Sequence, residues 1–580
     1  MVLTQEQNDF LAAEGRVVLC AVPGSGKTFI VAKKLQQYLN TWSNKHRGIA
    51  ALSFTNVASD EIKRQVFVNN DSMKNIEHPH FIGTLDSFIN KFIFLRFGYL
   101  MNPSNKNRPI IIHENYGELS FSASKGDCYK KGCTRNPTQF YWSIDGLTKN
   151  GSPIECKCEP KPCREYKQRL FQKGIFIQRE VPTFALRILR KYPQIAKELA
   201  YRFPIIIVDE AQDTSREQME LLDCLSQAGV ETLILVGDPD QALYEWRDAT
   251  PEYFIQKMND PQWQTMFLSC NFRSSQLICN AAQSFSSVLY EKNPAQATGE
   301  WAAYKQKPIL LSVSKGKSKQ DIIDSFLQIC RENSIVISEQ NVSVLTRSKI
   351  HSNLVTDVWK TPETESLALA SYLWHTGSRI EAFRLCEKVL YSIEIDTPYK
   401  MTSETIRTQA EDLFTPSVWK KKVVCLLQHL PSPHLSIACW KTAIQKTLVF
   451  LSESSIIVPR EQITLSKVIK IKRSDKHHPD FLDRQVIDYF EKRSTESYTM
   501  SSVHGVKGET FEATLLIVDS TRGNGTLTPK VLNTESLDNE LIRIAYVAMT
   551  RPRKILVVSV PQTATDMLRF SPDTWDYRNL

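Results

Sequence analysis

The stretch CAVPGSGKTFIV, residues 20–31, lies between the apolar run GRVVLC and the helical pattern TFIVAKKLQQYL. A strand, a glycine-rich turn and a helix that opens with Lys and Thr form the arrangement of a phosphate-binding loop. Ala21 stands where that motif usually has its first glycine, but Gly24 and Gly26 occupy the positions at which the backbone must approach a phosphate closely. The stretch therefore predicts a nucleotide-binding α/β fold.

Each part of this stretch has a predicted contact with the nucleotide. Backbone N–H groups of the loop would surround the β-phosphate at the positive end of the helix. The Lys27 ammonium would reach the β and γ oxygens, and the Thr28 hydroxyl would ligate Mg²⁺. We therefore expect a nucleotide site made of Ala21, Val22, Pro23, Gly24, Ser25, Gly26, Lys27 and Thr28.

The chain alternates strand and helix patterns in two groups, which predicts two parallel sheets. The first group continues with the strands GIAALSFT, PIIIVDE and ETLILVGD, and the second contains PILLSVS, NVSVLTRS, ATLLIVDS and KILVVSVP. A mostly helical insertion is expected to interrupt each group. We expect a first core at 1–94 and 196–265 with an insertion at 95–195, and a second core at 266–349 and 496–580 with a mostly helical insertion at 350–495.

One helical pair stands out inside the second insertion. The stretch LALASYLWHTGSRIEAFRLCEKVL, residues 367–390, resembles one unit of a helical repeat. A single unit does not predict a repeat array.

Length and composition indicate a globular protein of several domains. The chain has 580 residues, of which 42% are hydrophobic and 23% charged, and its net charge is +9. That charge permits nucleic-acid binding without establishing it. The N-terminus lacks the layout of a signal peptide, and uninterrupted apolar runs are short, so we expect a cytoplasmic protein with no membrane partner. In a reducing compartment the 13 cysteines would be thiols or metal ligands.

A second pattern, IIIVDEAQD at residues 205–213, places carboxylates at the end of a buried strand. Ligands of parallel sheets bind at that edge. Asp209 could hold Mg²⁺ together with Thr28, and Glu210 could orient and deprotonate an attacking water.

Five cysteines of the first insertion leave their chemistry open. They are spaced C-x4-C and C-x-C-x4-C, whereas zinc sites usually contain C-x2-C pairs. Zinc binding and unliganded thiols are the two main interpretations, and an iron–sulfur cluster is a third. The residues concerned are Cys128, Cys133, Cys156, Cys158 and Cys163.

The motifs GSGKT, DEAQD, VGDPDQALYEWR, NFRSS, VHGVKGETF and AYVAMTR follow one another along both groups. In this order they resemble the motif series of UvrD/Rep-type superfamily 1 DNA helicases. The resemblance implies two RecA-like P-loop NTPase cores, ATP with Mg²⁺ bound between them, and single-stranded or junction DNA bound across both. It also implies ATP hydrolysis coupled to 3′–5′ movement along DNA.

The resemblance assigns roles around the nucleotide. Gln7 would read the adenine, Gln241 would sense the γ-phosphate, and Arg273 and Arg551 would reach across from the second core. Phe29 and Phe272 stand where relatives usually have Arg and Tyr beside the base. Gly508 lies in KGETF, the motif whose glutamate lies near the ribose in relatives, and the resemblance implies that it contacts the nucleotide. The implied catalytic set is Lys27, Asp209, Glu210, Gln241, Arg273 and Arg551.

The resemblance also assigns DNA contacts. Aromatic residues in these motifs suit base stacking, which contributes about 1–3 kcal/mol per base and tolerates any sequence. The residues concerned are Phe54, Thr55, Asn56, Thr84, Tyr244, Trp246, Arg247 and His504.

Two activities remain open. The first is an ATP-dependent DNA helicase or translocase. The second is a regulatory ATPase subunit that senses DNA and controls a partner nuclease, because the variants GTLDSF and VHGVKGETF also resemble helicase-like subunits of Gabija-type anti-phage systems. Those subunits work beside an OLD-family nuclease.

Overall fold

A computed structural model provides the coordinates of the chain. The residues it describes are 3–68, 78–101, 108–112, 140–149, 152–153, 162–243, 249–286, 294–347, 358–395, 406–407, 409–410, 413–461, 463–472, 479–490, 498–518, 526–537, 539–562 and 569–580.

The first α/β group forms a six-stranded, wholly parallel sheet. Its strands are β1 (Arg16–Ala21), β2 (Ile49–Ser53), β3 (Phe81–Thr84), β4 (Ile205–Val208), β5 (Thr232–Gly237) and β6 (Gln264–Leu268). Their order across the sheet is β6-β1-β5-β4-β2-β3. Since all six strands run the same way, the segments that follow them share one edge.

The second α/β group forms another six-stranded parallel sheet. Its strands are β7 (Ile309–Val313), β8 (Val342–Thr346), β9 (Thr499–Ser502), β10 (Phe511–Ile517), β11 (Pro552–Pro561) and β12 (Asp576–Asn579). Their order is β9-β8-β10-β11-β7-β12. The predicted α/β class with parallel sheets is confirmed.

Both faces of each sheet are buried, as parallel strands require. In β1, Val17 and Leu19 pack with Ile30 and Val31 of the following helix. On the opposite face, Val18 belongs to the cluster that contains helix Val181–Lys191. Apolar packing on both faces of the sheet therefore fixes the position of its carboxyl edge.

Helices connect the strands of both sheets. The helix Gln5–Ala12 begins with a capping box in which Thr4 and Gln7 satisfy each other's backbone N–H groups. Further helices of the two sheets are Lys27–Thr41, Asn56–Val68, Leu85–Ile89, Pro193–Arg202, Arg216–Gln227, Pro251–Asn259, Gln276–Gln283, Lys319–Glu332, Pro529–Thr534 and Glu540–Met549.

The first insertion contains strands as well as helices in its described part. Ile110–Ile112 pairs in parallel with Ile175–Ile177, and Tyr141–Ser143, Gly146–Lys149 and Ser152–Pro153 form an antiparallel sheet. The helix Pro162–Gln172 follows the antiparallel sheet in the sequence and precedes Ile175–Ile177.

Residues 358–490 lie in a second compact unit, which is helical. Its core is built around the buried indoles of Trp419 and Trp440. The main helices are Pro362–His375, Arg379–Glu394, Pro416–Gln428 and Ile437–Glu453. None of the helices among the described residues combines the length and apolar character that a membrane span requires.

Candidate active site

The loop after β1 is a tight backbone cradle. Gly24 and Gly26 have φ angles of +76° and +79°, which glycine adopts without the steric cost other residues meet. The Gly24 carbonyl accepts a 2.9 Å hydrogen bond from the Phe272 N–H. A Cβ atom on Gly24 would lie 2.7 Å from Arg273 Cβ, so the loop and the segment Asn271–Arg273 are in direct contact.

Lys27 and the two carboxylates after β4 face each other at this edge. Lys27 Nζ lies 3.8 Å from Glu210 Oε1. Asp209 is buried and its Oδ1 accepts a 2.9 Å hydrogen bond from the Glu210 N–H. Within the described part of the chain, Lys27 Nζ and Asp209 Oδ2 are buried atoms without a hydrogen-bond partner. A cation and an anion left unsatisfied in this way suit a phosphate and a divalent metal.

The pKa values of the two carboxyls move in opposite directions. Burial, followed by the charge of Glu210, raises the pKa of Asp209 to about 7. Burial would also raise the pKa of Glu210, but the charges of Lys27 and Lys507 outweigh it and lower that pKa to about 2. Glu210 therefore carries its charge at neutral pH, as a group that orients water must.

Gln241 connects the edge of the first sheet to the second half of the chain. Its Nε2 donates a 2.6 Å hydrogen bond to Asp238 Oδ2, and its Oε1 accepts a 3.0 Å hydrogen bond from Arg551 Nη2. Arg551 is only 1% exposed. One side chain thus contacts an acid after β5 and a guanidinium that precedes β11.

Arg273 lies beside Arg551. Its Nη1 donates a 3.0 Å hydrogen bond to the carbonyl of Thr550. Burial and the neighbouring charges of Arg551 and Arg553 lower the pKa of Arg273. Two guanidiniums held together against mutual repulsion form a site that an anion would stabilise.

Three more side chains of the second half bind the segment Gln241–Leu243. Lys507 Nζ donates to the Gln241 carbonyl at 3.0 Å, Arg543 Nε to the Ala242 carbonyl at 3.0 Å, and His504 Nε2 lies 3.0 Å from the Leu243 carbonyl oxygen. Every residue of this three-residue segment therefore receives a hydrogen bond from the second half. A displacement of the two halves would have to move the segment or break these bonds.

Comparison with known families identifies the first half of the chain. A family model for the UvrD/REP helicase N-terminal domain matches residues 3–136 and 154–262. The chain carries a UvrD/REP helicase N-terminal domain. Lys27, Asp209, Glu210 and Gln241 all lie inside the matched ranges, and Arg273, Lys507 and Arg551 lie beyond them.

The chain is also similar in sequence to individual proteins. The chain is 26% identical over 340 residues to Gabija protein GajB of Bacillus cereus strain VD045, a match that covers 58% of this chain and 57% of that protein. It is 23% identical over 319 residues to the ATP-dependent DNA helicase PcrA of Staphylococcus aureus strain Mu50, covering 52% of this chain and 41% of that protein. The chain thus spans about half the length of the curated relatives it matches.

Three of the residues expected near the base, Gln7, Phe29 and Phe272, contact or flank the loop after β1. Gln7 is buried, and its Nε2 donates a 3.4 Å hydrogen bond to the Ser25 carbonyl. Phe29 follows Thr28 in the first turn of its helix, and Phe272 is joined to the loop through the Gly24 carbonyl. Gly508 has a φ of +92° directly after Lys507.

The rest of the loop has its own internal bonds. Ala21 ends β1, and the Val22 N–H donates a 3.1 Å hydrogen bond to the Leu268 carbonyl of β6. The Ser25 N–H then donates to the Val22 carbonyl at 3.2 Å, closing a turn around Pro23.

Four of the residues expected to contact DNA lie at the carboxyl ends of two neighbouring strands of the first sheet. Phe54, Thr55 and Asn56 come directly after β2, and Thr84 ends β3, where its hydroxyl caps the next helix. His504 bonds to Leu243, the residue just before 244–248. Tyr244, Trp246 and Arg247 lie outside the described residues.

Two metal sites were expected, one for Mg²⁺ at the nucleotide and one at the cysteines of the first insertion. Thr28 is the second residue of the helix Lys27–Thr41, and Asp209 presents the unsatisfied carboxylate oxygen, so this donor set fits Mg²⁺. Among the described residues no cluster of three or more His, Cys, Asp or Glu side chains could hold a metal ion. Cys128, Cys133, Cys156 and Cys158 lie outside those residues, and the Cys163 backbone lies in helix Pro162–Gln172, so zinc binding stays a prediction.

Sequence reasoning overlooked several residues of this site. Lys507 forms an ion pair with buried Asp213 and lies 3.7 Å from Glu210 Oε2. Arg543, 3% exposed, holds the Ala242 carbonyl. Lys507 lies in the motif KGETF and Arg543 lies two residues before the motif AYVAMTR, but only the fold shows which group each cation contacts.

Proposed function

We propose that this protein is an ATP-dependent DNA helicase or translocase that moves 3′–5′ along single-stranded DNA. The observation that carries this proposal is the hydrogen bond from Arg551 to Gln241. It joins a segment of the second parallel sheet to a segment of the first, beside the phosphate-binding loop. The UvrD/REP domain and the likeness to PcrA, a protein named as an ATP-dependent DNA helicase, support it. The two sheets correspond to two RecA-like cores in this proposal, with the domain limits given above.

ATP would bind on the loop after β1, with its phosphates on the backbone N–H groups and on Lys27. Mg²⁺ held by Thr28 and Asp209 would neutralise phosphate charge. Glu210, kept ionised by Lys27 and Lys507, would orient the attacking water and accept its proton. Arg273 and Arg551 would stabilise the charge that develops on the transferred phosphoryl group.

Movement would follow from the contacts that join the halves. The γ-phosphate would compete with Gln241 for the guanidinium of Arg551, which donates a hydrogen bond to the Gln241 side chain. It would also compete with Glu210 for the ammonium of Lys27. Because Gln241, Ala242 and Leu243 are bound by the second half, such a change reaches the residues that lead into Tyr244, Trp246 and Arg247. Those residues are the proposed base-stacking contacts.

Strand displacement tests the activity and its polarity together. We expect the purified chain with ATP and Mg²⁺ to separate a duplex with a 3′ single-stranded tail and to leave a 5′-tailed duplex intact. Lys27→Ala should abolish separation while the protein still binds single-stranded DNA. Unwinding of the 5′-tailed substrate alone would contradict the polarity.

A second candidate function is favoured by the match to GajB. The identity to that Gabija protein is higher than to PcrA and covers more of both chains. Under this alternative the same ATP cycle senses DNA and controls a partner nuclease in anti-phage defence, and the expected partner is of the OLD family. Little unwinding by the isolated chain, combined with DNA-stimulated ATP hydrolysis and stable co-purification with such a nuclease, would favour it over the first.

A further inference from the structure

The helical unit contains a cavity that the nucleotide chemistry does not use. Its volume is about 750 Å³, within the size range of ligand sites in proteins. It lies where the helix Pro362–His375 ends, the helix Arg379–Glu394 begins and the helix Pro416–Gln428 passes. The lining residues are Trp374, Arg379, Ile380, Phe383, Arg384, Arg407, Val424 and Leu427.

Several apolar side chains that line this cavity are exposed to solvent. Ile380 is 71% exposed, and Trp374 and Val424 are 37% and 39% exposed. Phe383 and Leu427 continue the same lining. A cluster of exposed apolar side chains around a concavity is typical of a surface that binds another molecule.

The charged part of the cavity is entirely basic. Its three ionisable side chains are arginines, and none of the described residues lining it is acidic. The Arg379 guanidinium lies 5.7 Å from the centre of the Trp374 ring. The helix Arg379–Glu394 begins here without a side-chain cap from the described residues, so its partial positive charge adds to the arginines.

Arg407 is held in place by a buried carboxylate. Its Nε and Nη2 donate to the two carboxylate oxygens of Glu387 at 3.2 and 3.0 Å. Glu387 is buried and also accepts a 3.1 Å hydrogen bond from Trp419 Nε1. A guanidinium fixed by a two-point contact loses little conformational freedom on binding a further anion.

We propose that this cavity is the docking site for an acidic segment of a partner protein, in which carboxylates flank a bulky apolar side chain. The arginines would meet the carboxylates, and the apolar side chain would pack among Ile380, Val424 and Leu427. Trp and Arg are the residues that most often dominate binding energy at protein interfaces. A phosphodiester backbone would use the arginines but would leave the aliphatic lining without a partner. This proposal does not rest on the proposed ATP cycle.

Fluorescence anisotropy with labelled peptides tests this site on the full chain. The probes are eight-residue peptides in which Asp and Glu flank one of the apolar pairs Leu-Phe, Ile-Leu or Trp-Leu. Matched controls carry Lys in place of every acidic residue. We expect at least one acidic peptide to bind and its lysine control not to bind.

Two variants separate the charged and apolar halves. Arg379→Glu with Arg384→Glu should weaken peptide binding about tenfold or more, because like charges then face each other. Ile380→Asp should weaken it as well. Lys388→Glu, an exposed change on the same helix outside the lining, should leave the affinity within about twofold. All these side chains are exposed, and a thermal melt verifies that each variant is folded.

Three results would overturn the proposal. One is that no acidic peptide binds more tightly than its lysine control. Another is that the charge reversal leaves peptide affinity unchanged in a folded protein. The third is that the same reversal abolishes binding of a 20-base-pair duplex while the peptides never bind, which would make the cavity a nucleic-acid surface.

Discussion

Arg551 Nη2 donates a 3.0 Å hydrogen bond to Gln241 Oε1, joining the residue before β11 to the turn Pro239–Gln241 that follows β5. Both side chains are buried. Burial lowers the pKa of Arg551 to about 10, although the charges of Glu210 and Asp238 oppose the change. The guanidinium therefore remains charged at neutral pH and lies beside the proposed phosphate site.

Arg551→Lys should remove the two-point contact that the guanidinium makes with Gln241 and a phosphate, while keeping a positive charge. A lysine cannot reproduce the planar fork that reaches both Gln241 and a phosphate. We expect the kcat of ATP hydrolysis to fall about 10³-fold, the lower end of what a transition-state arginine contributes. Steady-state kinetics measures this. Arg553→Lys, an exposed neighbour, should change kcat by no more than about twofold, and an equal loss in both variants would argue against a specific role for Arg551.

Lys507 should be required for the stability of the site. It forms an ion pair with Asp213, a carboxylate that is 1% exposed. Removing one partner of a buried pair costs about 3–5 kcal/mol, because the other charge is left buried alone. We expect Lys507→Met to lower the melting temperature and Lys507→Met with Asp213→Asn to recover much of the loss. If the double variant melts no higher than Lys507→Met, the pair is not the source of the effect.

Gly24 and Gly26 should respond differently to the same substitution. Each has a positive φ, so alanine costs about 1–3 kcal/mol of backbone strain at either position. At Gly24 the new Cβ would also lie 2.8 Å from Asn271 Oδ1, whereas at Gly26 the nearest described atom would be 3.8 Å away. We therefore expect Gly24→Ala to destabilise the protein more than Gly26→Ala in thermal melts. The reverse order would show that the contact with Asn271–Arg273 is not tight.

His80 should contribute to the loss of stability in mild acid. Burial, then the charges of Arg202 and His78, lower its pKa from 6.5 to about 4. The unfolded chain therefore binds a proton below pH 6.5 that the folded chain refuses until about pH 4, so stability falls as the pH is lowered through this window. His80→Asn keeps an acceptor for the Ile49 N–H, which donates to His80 Nδ1 at 3.2 Å, but does not titrate.

The measurement is the melting temperature at pH 7 and at pH 5. We expect the wild-type protein to lose more between these values than His80→Asn does. Other titrating groups act in both proteins and cancel in the difference. Equal losses would mean that His80 does not titrate differently on folding.

The interior of both sheets was predictable from the sequence, and their edges were not. The eight predicted strands of the two groups became β1, β2, β4 and β5 in one sheet and β7, β8, β10 and β11 in the other. The four overlooked strands, β3, β6, β9 and β12, are all edge strands. An interior strand is buried on both faces and reads as an apolar run, whereas an edge strand such as Asp576–Asn579 is partly exposed and has no such pattern.

The residues of the candidate site likewise divide into those that the sequence predicts and those that it does not. The glycines and Lys27 of the loop depend on local backbone geometry, which the motif encodes. Lys507 and Arg543 depend on which segment of the second half meets Gln241–Leu243 of the first. That meeting joins residues about 260 to 300 positions apart in the chain, and no local pattern specifies it.

The rate of ATP hydrolysis with and without single-stranded DNA tests the central claim most directly. If the second half binds the segment Gln241–Leu243 in order to couple nucleotide to DNA, oligo-dT should raise kcat at least about tenfold. Lys27→Ala should show no hydrolysis in either condition. A wild-type rate that is the same with and without oligo-dT would contradict the account.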